Sequence, residues 1–577
     1  MQKKIIRRSL SEDMRSYLSD MHPVLRRVYL ARGVHDVAEL THELEKLQPY
    51  SSLLNIDQAV SCIAHTLMTQ QSILIVGDFD ADGATSTAVA IRALRSFGAQ
   101  QVNFLVPNRF EFGYGLTPEL VEVAKTFQPA LIITVDNGIA NHSGVAAAKA
   151  AGMRVVITDH HLPAATLPEA DAIVNPNQLG DAFPSKNLAG VGVTFYVMLA
   201  LRRYLLDQGW FVQQALPEPN MSRLLDLVAL GTIADLVPLD YNNRILVHQG
   251  MRRMRAKLCS PGVLTLFEVS GRDITKAMTS DVGFSVAARL NAAGRLNDMS
   301  LGIDCLLCDD YSRAREMALT LHQLNVERRS IEQDMHHQAL AAMATVHVNK
   351  LPYGICLFDE SWHQGVIGIL AARIKERFYR PTIIFAPGKK GELKGSARSI
   401  PNLHIRDILA DIAVAYPGLI MRFGGHAMAA GLSIESNKLV EFSEIFSQMV
   451  ARKMTEDDLS QRVWTDGSLG HEYLNLSTAE LLRDAGPWGQ RFPEPVFDDV
   501  FRIVDQRIVG DKHLKLALSK DNGRVLDAIA FYVDLRQWPN HRCQTIHAAY
   551  RLDINEYNGR RSVQLIVEHM ELGSVKE

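Results

Sequence analysis

Short runs of unbroken aliphatic residues alternate with stretches of helical period through the first third of the chain. The runs are Ser72 to Val76 (SILIV, ending at Gly77), Val102 to Val106, Ala130 to Val135 (ALIITV), Arg154 to Thr158 (RVVIT) and the short Ala172 to Asn175. A helix is expected over Thr85 to Phe97. Strands that lack polar alternation are buried on both faces, and strands separated by helices form parallel sheets covered on both sides. Right-handed crossovers then line up the strand C-terminal ends along one rim, where such sheets bind ligands.

The pattern changes further along. Up to about Leu53 the chain is charged and irregularly helical, and roughly Lys186 to Asp310 is helical throughout. From Tyr311 to Met343 there is no Gly or Pro, and Met317, Leu321, Leu324, Arg328, Ile331 and Met335 fall at helical spacing, so a long helix joining two domains is expected. A second α/β unit, about Tyr353 to Met454, carries the strands ICLF and TIIF and the glycine-rich stretch Arg422 to Leu432. After about Leu459, Ile546, Ala548, Tyr550, Leu552 and Ile554 alternate along a strand. Asn558-Gly559 signals a hairpin, and Val563, Leu565 and Val567 alternate on the return, which predicts a small antiparallel barrel of the OB type. The expected division is an N-terminal segment 1–53, an α/β domain 54–310, a connecting helix 311–345, a smaller α/β domain 346–455 and a barrel domain 456–577.

Bulk properties exclude several classes. A net charge of -3 means that any nucleic-acid-binding charge is local and not global. The apolar stretch Tyr196 to Leu206 is cut by Arg202 and Arg203, so no membrane span is expected. The basic start MQKKIIRRSL leads into no apolar segment of the secretory kind. Six scattered cysteines, with only Cys305 and Cys308 close together, suit reduced thiols in a cytoplasmic protein better than a zinc site.

The chemistry gathers at the strand ends. The first strand runs into Asp78-Phe79-Asp80-Ala81-Asp82-Gly83, the third into Asp136-Asn137-Gly138 and the fourth into Asp159-His160-His161. Gly231 to Asp235 (GTIAD) closes an apolar helix-like run. One Asp after a strand is ordinarily a helix cap. Acids and imidazoles at successive strand ends instead converge on one rim, where like charges repel unless cations neutralise them. Carboxylates suit hard divalent ions, imidazole shifts the preference towards Mn²⁺ or similar metals, and two ions about 4 Å apart would hold both an attacking water and phosphate oxygens. Gly77 opens no G-x-G-x-x-G turn, which disfavours a dinucleotide-binding site.

DFDADG, VDNG, TDHH and GTIAD, in that order, resemble the four motifs of the DHH phosphoesterase family. The resemblance implies a catalytic set of Asp80, Asp82, Asp136, His160, His161 and Asp235. All of these except His161 would be ligands to two ions, Mg²⁺ or Mn²⁺, with Asp136 bridging and His161 touching the scissile phosphate. Asp78 would be a further ligand or a base beside the ligands, since smaller family members carry a histidine somewhat earlier in this motif. Lys394 to Ser399 (KGSARS) and Phe423 to Gly431 (FGGHAMAAG) resemble the DHHA1 substrate-binding domain.

Arg289 to Leu296 (RLNAAGRL), Asn108-Arg109-Phe110 with Gly113-Tyr114-Gly115, and Trp362 to Gly368 (WHQGVIG) are similar to motifs of the family's single-strand exonucleases. This implies substrate contacts from Arg109, Tyr114, Arg289, Asn291, Arg295, Ser396, Arg398, Gly424, Gly425 and His426. Arg295, Ser396 and Arg398 would surround a 5′ phosphate. Ordinary alternatives are tight turns for the glycines, surface ion pairs for Arg289 and Arg295, and core packing for Tyr114, Phe110 and His426.

The implied fold is a parallel-sheet DHH domain joined by a long helix to a smaller α/β DHHA1 domain, plus an OB-like barrel. The implied activity is two-metal hydrolysis of single-stranded DNA from the 5′ end to mononucleotides, in recombination and repair. The implied setting is a monomer in the cytoplasm, associated with the nucleoid, working with single-strand-binding protein and a DNA helicase. Family members acting on very short oligoribonucleotides or cyclic dinucleotides lack the terminal barrel, and a non-catalytic scaffold would have lost metal ligands that are all present here.

Overall fold

The computed structural model describes residues 3–9, 17–108, 111–344, 351–389, 391–521 and 523–573. Two compact units emerge, one of residues 9–325 and 477–495, the other of residues 1–8, 326–476 and 496–577. Strand β1 (Lys4–Arg7) therefore belongs to the second unit.

The first unit is built on β2 (Ile73–Gly77), β3 (Val102–Leu105), β4 (Leu131–Val135), β5 (Arg154–Thr158) and β6 (Ala172–Val174), in the order β3-β2-β4-β5-β6. Every pairing is parallel, as the unalternated runs predict. The chain leaves β2 outwards to β3 and returns past it to β4, so the strand order reverses between β2 and β4. A crevice opens at the C-terminal ends of the strands flanking such a reversal. Helix α1 (Ala81–Ser96) follows β2 directly, and its small residues Ala84, Ala88 and Ala93 are buried. It packs on α2 (Gly190–Asp207) and on α3 (Leu225–Ala234). Helix α3 is largely apolar and buried from Leu225 to Ile233, and Asp235, directly after its last turn, lies beside the strand rim. Next come α4 (Tyr241–Arg255), α5 (Ala287–Leu296) and the expected long helix α6 (Tyr311–Ala344).

In the second unit β7 (Ile355–Phe358), β8 (Thr382–Pro387), β9 (Glu392–Arg398), β10 (Arg422–Gly425) and β11 (Ala429–Glu435) form a sheet in the order β10-β11-β9-β8-β7. Helix α7 (Ile367–Phe378) packs on β8 and β9. Ile383, Phe385, Leu393 and Ala397 share one core with Ile408 and Ile412 of α8 (Ile405–Ala415) and Phe442 and Phe446 of α9 (Leu439–Lys453). Because strand side chains alternate, Lys394, Ser396 and Arg398 stand on the opposite face.

Strand β12 (Arg462–Thr465) pairs in parallel with β1, a pairing that the short basic start did not announce. The barrel runs β13 (Phe497–Val509), β14 (His513–Ser519), β15 (Val525–Ala530), β16 (Thr545–Tyr557) and β17 (Arg560–Leu572), closed in the order β13-β14-β15-β17-β16. Asn558 and Gly559 turn the last hairpin at φ 50° and 73°. The antiparallel expectation needs one correction, because β15 and β17 pair in parallel. The chain crosses from β15 to β16 and then turns back, so β17 arrives beside β15 running the same way. Among the described residues no helix is long and apolar enough to cross a membrane, and all six cysteines are free.

Candidate metal centre

Asp80 is both a helix cap and part of an acidic cluster. Its Oδ1 accepts the backbone N–H groups of Asp82 at 2.9 Å and Gly83 at 3.0 Å, which starts α1 at the end of β2. Asp78, Asp80 and Asp136 nevertheless offer ligand atoms that all lie within 4.8 Å of one another. Asp82, buried in the first turn of α1, takes donors from the start of α2. Gly190 N–H reaches its Oδ2 at 2.6 Å and Val191 N–H its Oδ1 at 2.9 Å. The positive end of an eighteen-residue helix thus faces this carboxylate. Gly190 cannot carry a side chain, because a Cβ would lie 2.5 Å from Cβ and Oδ1 of Asp136.

Asp136 leaves β4 in the left-handed region, at φ 62°. Its N–H donates to Thr158 O at 3.0 Å, and the side-chain amide of Asn137 donates to Val76 O at 3.1 Å and Val135 O at 2.9 Å, so the rims of β2, β4 and β5 are tied together. His160 Nε2 lies 3.2 Å from Asp136 Oδ1 and 3.5 Å from Asp235 Oδ2. Two further sets, Asp82-His160-Asp235 and Asp136-His160-His161, meet the same 4.8 Å limit.

A residue not singled out from the sequence completes the arrangement. Asp159 is buried, and its Oδ1 accepts the backbone N–H groups of His160 at 2.7 Å and His161 at 3.1 Å. His161 Nδ1 is also 2.7 Å from that oxygen, while Ile139 N–H donates to Oδ2 at 2.9 Å. Its signal was its place directly after β5, ahead of the two histidines. The donors from Gly190 and Val191 were invisible in the sequence, since they are backbone groups more than a hundred residues from Asp82.

The charges are badly balanced for a site holding protein alone. Burial, then the charge of Asp235, pushes Asp82 up to about 7. Burial, then Asp80, pushes Asp235 up to about 7. Burial, then Asp82, holds Asp136 well above the usual carboxylate range. Burial, then His161, lowers His160. The Asp159–His161 pair behaves oppositely. Burial would raise Asp159, but the His161 hydrogen bond outweighs it and holds the carboxyl at about 2. Burial would lower His161, but the bond to Asp159 lifts it to about 9. Asp136 Oδ1 and His160 Nε2 are buried without hydrogen-bond partners. Unsatisfied oxygen and nitrogen donors in an acidic crevice fit hard divalent cations.

The remaining candidates are dispersed. Tyr114 Oη donates to Asp136 O at 3.2 Å and lies 3.4 Å from His161 Nδ1, so this half-exposed ring lines the cluster. Asn291 Oδ1 accepts Ala81 N–H at 2.9 Å, which fixes the start of α1. Arg295 is half-buried on the last turn of α5. Arg289 is buried and engaged elsewhere, donating to Ser285 O at 2.6 Å and to His322 Nδ1 at 3.0 Å. Arg109 and Phe110 lie outside the described residues.

In the second unit Arg398 Nη1 donates to Ser396 Oγ at 3.2 Å and to Ala397 O at 2.8 Å. Burial lowers its guanidinium, and no ion pair to a carboxylate is found for it among the described residues. A Cβ on Gly368, in the first turn of α7, would lie 2.9 Å from Arg398 Nη2 and 3.0 Å from Ser396 Oγ. Gly424 pairs with Gly431, which pairs with Ser396, so bare backbone extends sideways from the serine. Gly425 pairs with Ala430, and the exposed His426 follows, its N–H donating to Ala429 O at 2.8 Å.

Comparison with known proteins covers all three domains. Residues 72–232 match the N-terminal domain of the DHH family, residues 339–452 the DHHA1 domain and residues 465–569 the RecJ OB domain. The single-stranded-DNA-specific exonuclease RecJ of Dickeya dadantii is 52% identical over 550 residues, spanning 95% of this chain and 96% of its own. The exonuclease of the same name from Escherichia coli is 49% identical over 568 residues, spanning 98% of each chain. The crystal structure of RecJ with Mn²⁺ from Thermus thermophilus superposes with a TM-score of 0.81 at 28% identity, covering 100% of this chain and 80% of its own. With Mg²⁺ the same protein gives 0.76 at 25% identity, covering 100% of this chain and 79% of its own.

Proposed function

The chain belongs to the RecJ family of single-stranded-DNA-specific exonucleases, and from that premise we propose how its own residues carry the reaction. It is a metal-dependent exodeoxyribonuclease that hydrolyses single-stranded DNA from the 5′ end to mononucleotides, with Mg²⁺ or Mn²⁺ as cofactor. One observation supports the residue assignment above the others: three overlapping sets of acids and imidazoles meet at a single strand rim.

Asp78, Asp80 and Asp136 would hold one ion, and Asp82, His160 and Asp235 the other, with Asp136 close enough to His160 to serve both. When bound, the pair of cations neutralises phosphoryl charge and lowers the pKa of a coordinated water. The remaining work is done by the chain. Gly190 N–H and Val191 N–H fix Asp82 in position. Asp159 orients His161 and, through their hydrogen bond, favours its protonated form, so that its Nε2–H would be the donor to a phosphoryl oxygen as charge develops there. Tyr114, half-exposed at the cluster, is placed to contact the nucleotide being removed.

In the second unit we assign Arg398 and Ser396 to the terminal 5′ phosphate. A desolvated guanidinium, a hydroxyl and the first turn of α7 meet where Gly368 leaves room for an anion. Arg295, Gly424, Gly425 and His426 would guide the strand, and Arg109 would join them. The functional domains we propose are 54–310, 346–455 and 456–577, with 311–345 as connector. The cellular role proposed is recombination and repair as a nucleoid-associated cytoplasmic monomer, beside a single-strand-binding protein and a DNA helicase.

A time course on end-labelled single strands with each divalent ion tests the reading. Mononucleotides accumulating from the 5′ end are expected, and faster loss from a 5′-phosphate end than from a 5′-hydroxyl end. Release from the 3′ end, or activity undiminished by a chelator, would overturn it.

A further inference from the structure

The face of the second unit's sheet that carries Ser396 and Arg398 continues past them. Beside Ser396, Gly431 of β11 and Gly424 of β10 lie on the same rung, and a Cβ on either would meet nothing within 4 Å. The next rung on that face is Lys394, Ser433 and Arg422. Lys394 stands two residues from Ser396 along β9, about 7 Å away. Bare backbone therefore leads from the hydroxyl assigned to the terminal phosphate towards a second pair of cations.

Those two cations share one anion. Glu392 Oε1 accepts from Lys394 Nζ at 2.8 Å and from Arg422 Nη2 at 3.1 Å, and Lys394 also donates to Ser433 Oγ at 3.2 Å. Among the described residues Glu392 is the one carboxylate paired with either cation. Glu435, beside Glu392 in register, is paired instead with Lys438 at 3.2 Å. The group of three thus carries one positive charge in excess. The Glu392 side chain is 10% exposed, whereas that of Arg422 is 70% exposed and uses one of its five N–H donors here. A guanidinium with open donors at the end of a glycine strip is suited to receive anionic oxygen.

The make-up of this face selects among anions. No aromatic side chain of β9, β10 or β11 stands on it, since Phe423 alternates to the other side beside the core residue Leu432, so a nucleobase finds no ring to stack on. What the strip offers is room without bulk, followed by positive charge, which suits phosphates linked in a chain. A single phosphate on Arg398 and Ser396 does not extend to Lys394 and Arg422, whereas two more phosphates joined to it follow the glycines towards them. Resting on the 5′-phosphate reading above, we propose that this face binds the β and γ phosphates of a 5′-triphosphate end, the end of a strand begun de novo, with Lys394 and Arg422 turning from Glu392 to hold them. Such a strand is degraded without prior trimming. Water adds to the first phosphodiester phosphorus, the P–O3′ bond breaks, the 3′ oxygen takes up the proton, and the first nucleotide leaves as a nucleoside triphosphate.

The test is fluorescence anisotropy of the full chain with 3′-labelled oligothymidylates ending in a 5′ hydroxyl, monophosphate or triphosphate, with Ca²⁺ in place of Mg²⁺. The triphosphate should bind about tenfold more tightly than the monophosphate, the gain expected from one or two charge-assisted contacts. Arg422→Ala should erase that gain and leave monophosphate binding unchanged, and the exposure of Arg422 keeps this variant folded. Glu392→Gln, which removes the competing anion, should strengthen triphosphate binding about threefold further. With Mn²⁺, mass spectrometry should find thymidine triphosphate as the first product of the triphosphate strand. Equal binding of hydroxyl and monophosphate ends would sink the 5′-phosphate reading and this proposal with it. A monophosphate preference accompanied by weaker triphosphate binding, or by an Arg422→Ala loss equal at both phosphorylated ends, would overturn this proposal alone.

Discussion

If the acidic crevice is a metal site, removing the ions should leave a unit whose stability falls as the pH rises. The perturbation is chelation followed by titration from pH 5 to pH 8. Asp82 moves from an ordinary 3.8 up to about 7 in the folded chain, chiefly through burial. A carboxyl whose folded pKa is raised binds more protons in the native state. Its stabilising contribution is therefore complete below the unfolded pKa and is lost as the pH climbs through the folded value. Between pH 5 and pH 8 the loss from this one group is about two pKa units, or about 3 kcal/mol. Asp235 and Asp136 act in the same direction, and so does His161, whose raised pKa makes its contribution fade towards about 9. His160, with a lowered pKa, opposes them below its ordinary 6.5. Because the carboxylates interact, the sum is smaller than the separate contributions, and the single-group figure is a working size for the effect. At about 2 °C per kcal/mol for a unit of this size, the chelated protein should melt about 6 °C lower at pH 8 than at pH 5. Scanning calorimetry with EDTA and then with excess Mn²⁺ reads this directly. Added Mn²⁺ should restore most of the loss at pH 8 and do little at pH 5, where protons already occupy the site. A chelated melting temperature that is flat or rises with pH, or an equal response to Mn²⁺ at both, would refute the account of the crevice as mutually repelling carboxylates.

Other substitutions probe the supports of the site. Gly190→Ala would put a methyl 2.5 Å from the Asp136 carboxyl; it should cost about 1–3 kcal/mol and most of the activity, with both read from melting and from Mn²⁺ affinity. Asp159→Asn would remove the charge that keeps His161 protonated and set an NH₂ against Ile139 N–H or the histidine donors. A fall in turnover of about 10²–10³ is expected, with Mn²⁺ affinity little changed. Arg398→Ala should erase the preference for a 5′-phosphate over a 5′-hydroxyl end while sparing Mn²⁺ affinity, as paired substrates and metal titration would reveal.

Legibility in the sequence followed the physics of each element. The parallel sheet was readable because strands buried on both faces have no polar alternation, and long α6 because thirty-four residues run without a helix breaker. The pairing of β1 with β12 was not, since four residues in a basic stretch carry no pattern until a partner more than four hundred positions away is known. The parallel closure of the barrel was hidden for a similar reason: alternation reports which side faces the core and not which way the neighbour runs. At the site, acids and imidazoles were visible as side chains. Their supports were less so, because Gly190 and Val191 act through backbone N–H groups and Asn291 acts on a backbone donor.

The choice between a helix cap and a metal ligand, which looks like an alternative for any Asp following a strand, dissolves at Asp80. A carboxylate has more lone pairs than two backbone donors can use. Accepting those donors starts α1 at the strand end, and the same bonds stop the side chain from rotating away from Asp78 and Asp136. Asp82 repeats the device with donors from α2, and Asp159 with donors from its own turn. Each of these three acids is thus oriented by backbone donors of its own turn or of a neighbouring helix start. That explains how Asp80 and Asp82 stay converged with their neighbours before any cation arrives: the hydrogen bonds that hold them also form helix starts, so turning either carboxylate away would require unwinding one.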